Sequence, residues 1–378
     1  MRLLFVLICV LTISNTEAQT SILNQADSLY RNGNYSKAIE AYKTHTNQDE
    51  VSAKIAKANV AIGNYDAALE YYKLGAAADP KNGLVLYEYA KLLSKTKNFE
   101  ASIEVFNTLM NIDYRNPNYH YEMGLALERI GNSTALNRFW SAYDLDQTHQ
   151  KAIFKIAKHF LIKRKHQISH RYIDEGLESY KNNIELTSLK AQNYYYQEDY
   201  ENARTWFQKL INLGESSEFI HAKLSMIHAE FLDYELAIAQ RKLVLKSNPY
   251  NADAMFLIGK YYNQLKDYKS AEKYIKQALV LQDVPLDYEY QILGTVLNRQ
   301  DKHKEAIEAL QKSVKENPEN ISSEFYIVST KDKYYLDIET KIKLYEDFRD
   351  KYPNTVYSKF ASQRIIALKE EKFLKAED

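Results

Sequence analysis

Hydrophobic and polar positions follow helical spacing along the chain, and the pattern recurs about every 34 residues. In one repeat the small residue Ala68 is followed four positions later by the large ring of Tyr72. Spacings of three and four residues place side chains on one face of a helix. The equivalent small residues of nine successive repeats are Ala38, Ala68, Ser102, Ala135, Ser169, Ala203, Ala237, Ala271 and Ala306. A fixed period of this length predicts stacked helix pairs and therefore a solenoid.

A second set of small residues lies on the helix that precedes each turn. Glycine inside a helix costs about 1 kcal/mol relative to alanine, so its use there needs a packing reason. Two helices approach closely only where the facing side chains are small. The second set is Ala26, Ala56, Ala90, Gly124, Ala157, Ala191, Ser225, Gly259 and Gly294. We therefore expect the two helices of each pair to meet at these residues.

The composition supports helices joined by short turns. The 378 residues include 10 glycines and 6 prolines, which is few for a β-rich fold with many turns. The formal net charge is zero, so nothing global favours nucleic acid or an anionic membrane surface as a partner. The 32 tyrosines suit half-buried positions, because the ring packs while the hydroxyl group stays hydrated.

The first 18 residues have the pattern of a cleaved secretory signal. Arg2 precedes an apolar run over residues 3–13, and residues 16–18 form a plausible cleavage site that ends in a small residue. The run is too short to span a bilayer as a mature helix. Cys9 interrupts the run instead of ending it, which disfavours a lipid anchor without excluding one. We expect export to a bacterial periplasm or the outer-membrane periphery, with secretion as an alternative.

The repeats resemble the tetratricopeptide repeat family over about residues 19–355, as nine recognisable repeats and a divergent tenth. The resemblance rests on Leu293, Gly294, Asp301, Ala306, Leu310 and Pro318 in one repeat and on Gly63, Tyr65, Ala68, Tyr72 and Pro80 in another. It implies an all-α fold, a right-handed α-solenoid of antiparallel helix pairs whose first helices line a concave groove. A polar capping helix over residues 356–378 should follow and shield the last apolar face.

The first helices supply the candidate partner groove. In the orientation that the resemblance implies, the residue directly after the small residue lines the groove, and it is lysine in several repeats. An aromatic residue four positions earlier is the neighbour of that lysine on the helix surface, and further cations follow one turn later. The candidate groove residues are Tyr87, Lys91, Tyr121, Arg129, Phe154, Lys158, Phe256, Lys260 and Arg299. The alternative is that the lysines are ordinary surface residues and the aromatic rings pack between repeats.

These features favour a non-enzymatic scaffold for protein–protein interaction. Aromatic side chains beside lysines suit an extended protein or peptide segment, especially an acidic one. The alternative is a polysaccharide-binding or export accessory protein of the cell envelope, because aromatic rings also stack on sugar rings. The sequence carries no phosphate-binding loop or nucleophile motif, so we expect no catalytic residue and no cofactor. The oligomeric state stays open.

One cluster has the residue types of a metal site. His166, His170 and Asp174 follow four-residue spacing and share a helix face. A metalloprotease helix would carry a glutamate directly after the first histidine, and this helix does not. Because His166 stands where other repeats carry Tyr35 or Tyr65, we expect it to pack and not to bind a metal.

Overall fold

The computed structural model describes residues 22–281, 286–334 and 337–377, and every regular element among them is an α-helix. The signal predicted over residues 1–18 lies outside these ranges. The helices form two compact units, residues 22–193 (the first unit) and residues 194–377 (the second unit). None of the described helices combines the length and the apolar composition that crossing a bilayer would require.

The first unit contains α1 (22–31), α2 (Tyr35–Lys43), α3 (Gln48–Ala61), α4 (Tyr65–Ala78), α5 (Gly83–Lys95), α6 (Phe99–Ile112), α7 (Pro117–Arg129), α8 (Ala135–Leu145), α9 (Gln150–Ile162) and α10 (His166–Ser179). The boundary between the units falls within α11 (Ile184–Tyr196). The second unit continues with α12 (Tyr200–Asn212), α13 (Glu218–Glu230), α14 (Tyr234–Ser247), α15 (Ala252–Gln264), α16 (Tyr268–Leu281), α17 (Asp287–Asn298), α18 (His303–Glu316), α19 (Ile321–Tyr334), α20 (Ile338–Lys351) and α21 (Val356–Glu377).

Within each unit, helices that are adjacent in sequence pack against one another as pairs. The predicted all-α solenoid of helix pairs is therefore confirmed, while its right-handed twist stays a prediction. The small residues of both sets are buried, and Ala56 and Ala68, one from each helix of a pair, have no exposed surface.

The glycines of the second set have the packing role that the sequence predicted. A Cβ atom at Gly124 would lie 2.7 Å from a ring carbon of Phe139 on the paired helix. At Gly294 the same atom would lie 2.5 Å from Leu310 Cγ. Real Cβ atoms do not come this close to neighbours, so a larger residue at either position would push the two helices apart.

Serine replaces alanine at some crossings, and there its hydroxyl group bonds across the pair. Ser102 Oγ donates to the Ala90 carbonyl oxygen at 2.8 Å, and Ser169 Oγ donates to the Ala157 carbonyl oxygen at 2.9 Å. In the second unit the direction reverses, since Ser225 Oγ on the first helix donates to the Ala237 carbonyl oxygen at 2.8 Å. The hydroxyl is thus satisfied without widening the crossing.

The turn inside each pair requires a left-handed backbone, which recurs at Gly33, Gly63, Lys97, Gly131, Arg164, Glu198, Leu232, Lys266 and Asp301. Glycine adopts this conformation without strain, whereas a residue with a Cβ pays roughly 1 kcal/mol or more. At Leu232 the φ angle is 60° and the side chain is largely exposed. The turn geometry is therefore imposed by the helix pairing and not by the local residue.

The last helix does not have the polar outer face expected of a cap. α21 packs on α20 through Ala361, Ile365 and Leu368, which are buried. Its outward side exposes Ile366 and Phe373, which keep 59% and 64% of their surface accessible. Val356 and Phe360 are exposed as well, so the expectation of a polar helix did not account for the apolar residues on its outward side.

A buried ionic cluster joins the last three helices. Asp332 of α19 accepts hydrogen bonds from Arg364 Nε of α21 at 2.7 Å and from the Tyr345 hydroxyl group of α20 at 3.1 Å, and Lys341 Nζ lies 3.3 Å away. Burial alone would raise the pKa of Asp332, but these donors outweigh it and hold the pKa below its usual value. The carboxylate therefore stays charged and ties α19, α20 and α21 together.

Candidate functional site

The first helices of the first unit enclose a groove with a cavity of about 650 Å³. We call this surface the first-unit groove. Residues of α1, α3, α5, α7 and α9 supply most of its lining, so the odd-numbered helices form the wall, as the resemblance implied. The lining residues are Tyr30, Lys57, Val60, Ala61, Tyr72, Glu88, Lys91, Leu92, Ser94, Lys95, Phe99, Glu122, Leu125, Glu128, Arg129 and Lys155.

On the first helices, the residue directly after the small residue of the second set faces this groove. It is Lys57 on α3, Lys91 on α5 and Leu125 on α7. The position two residues before the small residue faces the groove as well, and there it is Glu88 on α5 and Glu122 on α7. Since these positions are three residues apart, they form a single stripe along each helix.

The groove wall carries five cationic and three acidic side chains. Lys155 forms an ion pair with Glu128 at 2.5 Å, and Lys91 Nζ lies 3.7 Å from a Glu88 carboxylate oxygen. Lys95 donates to the Tyr65 hydroxyl group at 2.9 Å, a neutral partner. The cations therefore exceed the carboxylates available to neutralise them, and the groove wall carries a net positive charge.

Glu122 differs from the other carboxylates of the groove. It is half-buried, and no donor among the described residues lies within hydrogen-bond distance of its oxygens. Burial raises its pKa, which Lys91 and Lys151 oppose. A partly desolvated carboxylate without a donor is an acceptor available to a partner's N–H groups.

The predicted groove residues of the first unit separate into two groups. Lys91 and Arg129 line the groove, and their role in binding a partner stays a prediction. Tyr87 packs edge-on against Phe106 with ring centroids 6.2 Å apart, and Tyr121 is buried beside Phe139. Burial raises the pKa of both tyrosine hydroxyl groups to about 12.

The predicted aromatic–lysine pairs are present. Lys91 Nζ lies 5.0 Å from the Tyr87 ring centroid, and Lys158 Nζ lies 5.7 Å from the Phe154 ring centroid. Tyr121 keeps only 8% of its surface accessible, so its ring stabilises the stacking of repeats and is not a shelf for a ligand.

The remaining predicted residues lie in the second unit. Lys260 Nζ lies 5.9 Å from the ring centroid of Phe256 and 5.1 Å from that of Tyr288. Phe256 is buried, and Arg299 donates to Asn263 Oδ1 at 2.9 Å. The Arg299 side chain is therefore already hydrogen-bonded to a residue of α15 in the preceding repeat.

The histidine cluster has structural partners. His166 Nδ1 lies 2.5 Å from Asn193 Oδ1, and Asn193 Nδ2 donates to the His166 carbonyl oxygen at 3.0 Å. Asp174 is paired with Lys190 at 2.5 Å. In the ranges that the structure describes, no three metal-ligating side chains converge on one point.

The sequence interpretation missed two features. The first is the acidic stripe at Glu88 and Glu122, which lies three residues before Lys91 and Leu125. The second is Arg241, which stands four residues after Ala237 and is 94% buried, with 6% of its surface accessible. Other repeats carry a large apolar residue at that position, so the break in the pattern was visible in the sequence.

Known proteins support the repeat assignment. Family models of the tetratricopeptide repeat match residues 59–124, 252–282 and 290–320. The C-terminal part of a TPR repeat-containing protein from Cytophaga hutchinsonii has a TM-score of 0.53 at 15% identity, over 63% of this chain and 97% of that one. This likeness shows a shared fold.

Two further solved structures are similar over part of the chain. A tetratricopeptide repeat protein from Parabacteroides merdae has a TM-score of 0.47 at 14% identity, over 66% of this chain and 99% of that one. YrrB, described as a TPR protein with an unusual peptide-binding site, has a TM-score of 0.46 at 16% identity, over 49% of this chain and 95% of that one. The curated proteins contain no significant sequence match. The matched residues are similar to tetratricopeptide repeats, and the helix pairs with small residues at their crossings continue the same pattern through the other described repeats.

Proposed function

We propose that the protein is a non-enzymatic scaffold that binds an extended, acidic segment of a partner protein in the first-unit groove. The proposal rests on the groove itself, which is a concave wall built from successive first helices and lined by an excess of cations. Stacked helix pairs create extended concave surfaces of this kind, and proteins of this architecture use them for binding.

The size of the groove suits an extended segment. Helices that pack side by side are roughly 10 Å apart, so the five first helices of this wall span about 40 Å. An extended chain advances about 3.3 Å per residue, so roughly 12 residues would fill the groove. A segment of that length contacts several repeats at once, which a compact small molecule would not do.

The chemistry of the wall defines the partner further. Lys57, Lys91 and Arg129 lie on three successive first helices and attract acidic side chains spaced along the segment. Glu122 lies among these cations and lacks a donor of its own, so it suits a main-chain N–H group of the segment. An extended peptide supplies both kinds of group, since its backbone donors are not used internally.

Charge reversal in the groove tests this proposal. The double variant Lys91→Glu, Arg129→Glu should lose partner proteins captured from the source cell, identified by mass spectrometry. The matched control is Lys73→Glu, because Lys73 is exposed on the second helix α4 and does not line the groove. Capture should also weaken steeply with salt, because exposed charges are screened. Equal capture by the double variant and the wild type would contradict the groove.

The cellular location is part of the same proposal. We infer from residues 1–18 that the scaffold acts in the bacterial periplasm or at the cell envelope. Amino-terminal sequencing of the native protein should give Gln19 as the first residue. An intact Met1 in the native protein would count against export.

The glycan alternative makes a separate prediction. If aromatic rings bound a cell-envelope polysaccharide, binding would be weakly salt-dependent and would depend on Phe154, a partly exposed ring of the predicted set with a lysine beside it. Saturable binding of purified envelope glycan that is lost in Phe154→Ala would favour it over a protein partner.

A further inference from the structure

The last helix, α21, presents large apolar side chains on the side that faces away from α20. Each of them keeps half or more of its surface accessible, and they are Val356, Phe360, Ile366, Phe373 and Leu374. We call this surface the α21 outer face. Apolar patches larger than a few hundred Å² commonly mark a binding surface.

Helical geometry brings these side chains together along the axis. Phe360, Ala367 and Leu374 follow one another at intervals of seven residues, and Ile366 and Phe373 do the same in the adjacent line. Seven residues make about two helical turns, so each series runs along the helix as a line. The two lines together form the side opposite the buried residues that contact α20.

Two charges of opposite sign lie on the α21 outer face. Lys359 is near the beginning of the helix and Glu370 is near its end, and both are exposed. The other charged residues of α21 that form ion pairs are Arg364, Lys369 and Lys372, which lie on its flanks. In the part of the chain that the structure describes, neither Lys359 nor Glu370 has an ion-pair partner, so both charges are available to a second molecule.

The α21 outer face is self-complementary about its middle, which lies near residue 365. Val356 and Leu374 are at equal distances from this point along the helix, and Lys359 and Glu370 are nearly so. Two copies of α21 that pair antiparallel around this point place Val356 of one copy against Leu374 of the other. They also place Lys359 of one copy against Glu370 of the other, twice in each pair. A parallel pair would instead oppose lysine to lysine and glutamate to glutamate.

The accessible apolar area of this face is sufficient for a stable contact between two copies. A large apolar side chain has roughly 200 Å² of surface, so each of the five exposes roughly 100 Å² or more. Two copies together would bury roughly 1,100 Å² of this surface, and a specific interface requires about 1,000 Å² in total. Gln363 and Ala367 are exposed between the two ends of the face and add to the contact.

We propose that the α21 outer face binds a second copy of this chain, and that the two α21 helices pair antiparallel around a two-fold axis. A two-fold contact uses the same surface of both copies, as the arrangement of apolar and charged residues on this face requires. The inference goes beyond the proposed function and does not depend on it, since the first-unit groove lies on other helices. A dimer would carry two such grooves and would bind a partner with two acidic segments more tightly than one chain does.

Sedimentation equilibrium of the protein purified from the source cell tests the pairing. The wild type should have twice the mass of one chain. The double variant Phe360→Ser, Phe373→Ser should raise the dissociation constant of the dimer at least hundredfold, because it removes apolar surface from both copies. The matched control is Leu236→Ser, which removes an exposed apolar side chain from α14 and should change the constant less than twofold. All these side chains are exposed, so the helix signal in circular dichroism should be the same in every variant.

Charge exchange tests the antiparallel arrangement. Lys359→Glu and Glu370→Lys should each weaken the dimer roughly tenfold, because each variant turns two attractive pairs into two repulsive ones. The double variant Lys359→Glu, Glu370→Lys should return to within about threefold of the wild type, because the pairs form again with their signs exchanged. A double variant no stronger than the single ones would overturn the inference, and so would a dimer that survives Phe360→Ser, Phe373→Ser.

The wild type alone can also contradict the pairing. A protein that stays monomeric at about 100 μM would overturn the inference. If such a monomer bound vesicles of phosphatidylethanolamine and phosphatidylglycerol, and Phe360→Ser, Phe373→Ser abolished this binding, the α21 outer face would bind a lipid surface instead of a second copy.

Discussion

Replacing Gly259 by alanine tests whether the helix pairs depend on small residues at their crossings. An alanine Cβ atom would lie 2.6 Å from Ile275 Cγ1, 3.1 Å from the Ala271 carbonyl oxygen and 3.2 Å from the Ile275 backbone nitrogen. All three distances are below the usual carbon contact distance of about 3.5–4 Å. Two of the three atoms belong to the backbone of α16, so a side-chain rotation would not relieve the contact.

The magnitude follows from two opposing effects. In an ordinary helix interior, alanine is more favourable than glycine by about 1 kcal/mol. Overpacking a well-packed core costs about 1–3 kcal/mol. Because α16 itself must shift, we expect the upper part of that range and a net loss of about 1–2 kcal/mol for Gly259→Ala. The close contact therefore makes Gly259→Ala destabilising, whereas the same change in an ordinary helix interior would be stabilising.

Urea unfolding of the full chain, monitored by circular dichroism at the helix band, measures the difference in unfolding free energy between Gly259→Ala and the wild type. The matched control is Gly75→Ala in α4, where the nearest atoms would lie 3.5 Å from the new Cβ atom. That variant should be neutral or stabilised by up to about 1 kcal/mol. A Gly259→Ala protein as stable as the wild type would refute the close-approach explanation, and so would equal shifts in the two variants.

The remaining predictions concern turns and the ionic cluster. Leu232→Gly should stabilise the chain by about 0.5–1 kcal/mol, because the left-handed turn no longer strains a side chain that packs little; a loss in urea unfolding would contradict this. Gly63→Ala should destabilise by about 1 kcal/mol through the backbone alone, since no atom lies within 4 Å of the new Cβ atom. Asp332→Ala should cost about 1–3 kcal/mol, because the buried Tyr345 hydroxyl group loses its acceptor while the partly exposed Arg364 can be solvated by water. The pKa of Asp332 is lower in the folded state than in the unfolded state. The stabilisation that the Asp332 carboxylate provides is therefore complete at pH values above the unfolded-state pKa, and it is lost as the pH falls through the folded-state pKa. Parallel unfolding curves of wild type and Asp332→Ala at neutral and acidic pH should therefore converge in acid.

The sequence predicted the pairing of helices because the requirement is local. Close approach needs small side chains at fixed points, and Ala56 and Ala68 meet that need wherever the pair lies in the stack. The sequence alone could not show which of the residues next to Lys91 on the helix surface face the groove. Tyr87 and Glu88 flank that lysine at four and three residues, and only the packing of the next repeat decides that the ring turns inward and the carboxylate lines the groove.

Two residues depart from the repeat pattern, and the sequence alone does not separate their roles. His166 replaces an aromatic residue and has a structural explanation in its bonds to Asn193. Arg241 replaces an apolar residue and has no such explanation, since its Nε atom lacks a partner. The sequence shows both departures equally clearly, but only the contacts distinguish a satisfied substitution from an unsatisfied one.

Site-specific photo-crosslinking in the intact source cell shows whether a partner protein occupies the first-unit groove. A photoreactive amino acid replaces Lys91 inside the first-unit groove in one strain and Leu74 in another, since Leu74 is exposed on the second helix α4 and does not line the groove. We expect a discrete protein adduct from the Lys91 position, lost when Arg129→Glu is added, and none from the Leu74 position. An adduct from the Leu74 position alone would contradict partner binding in the groove.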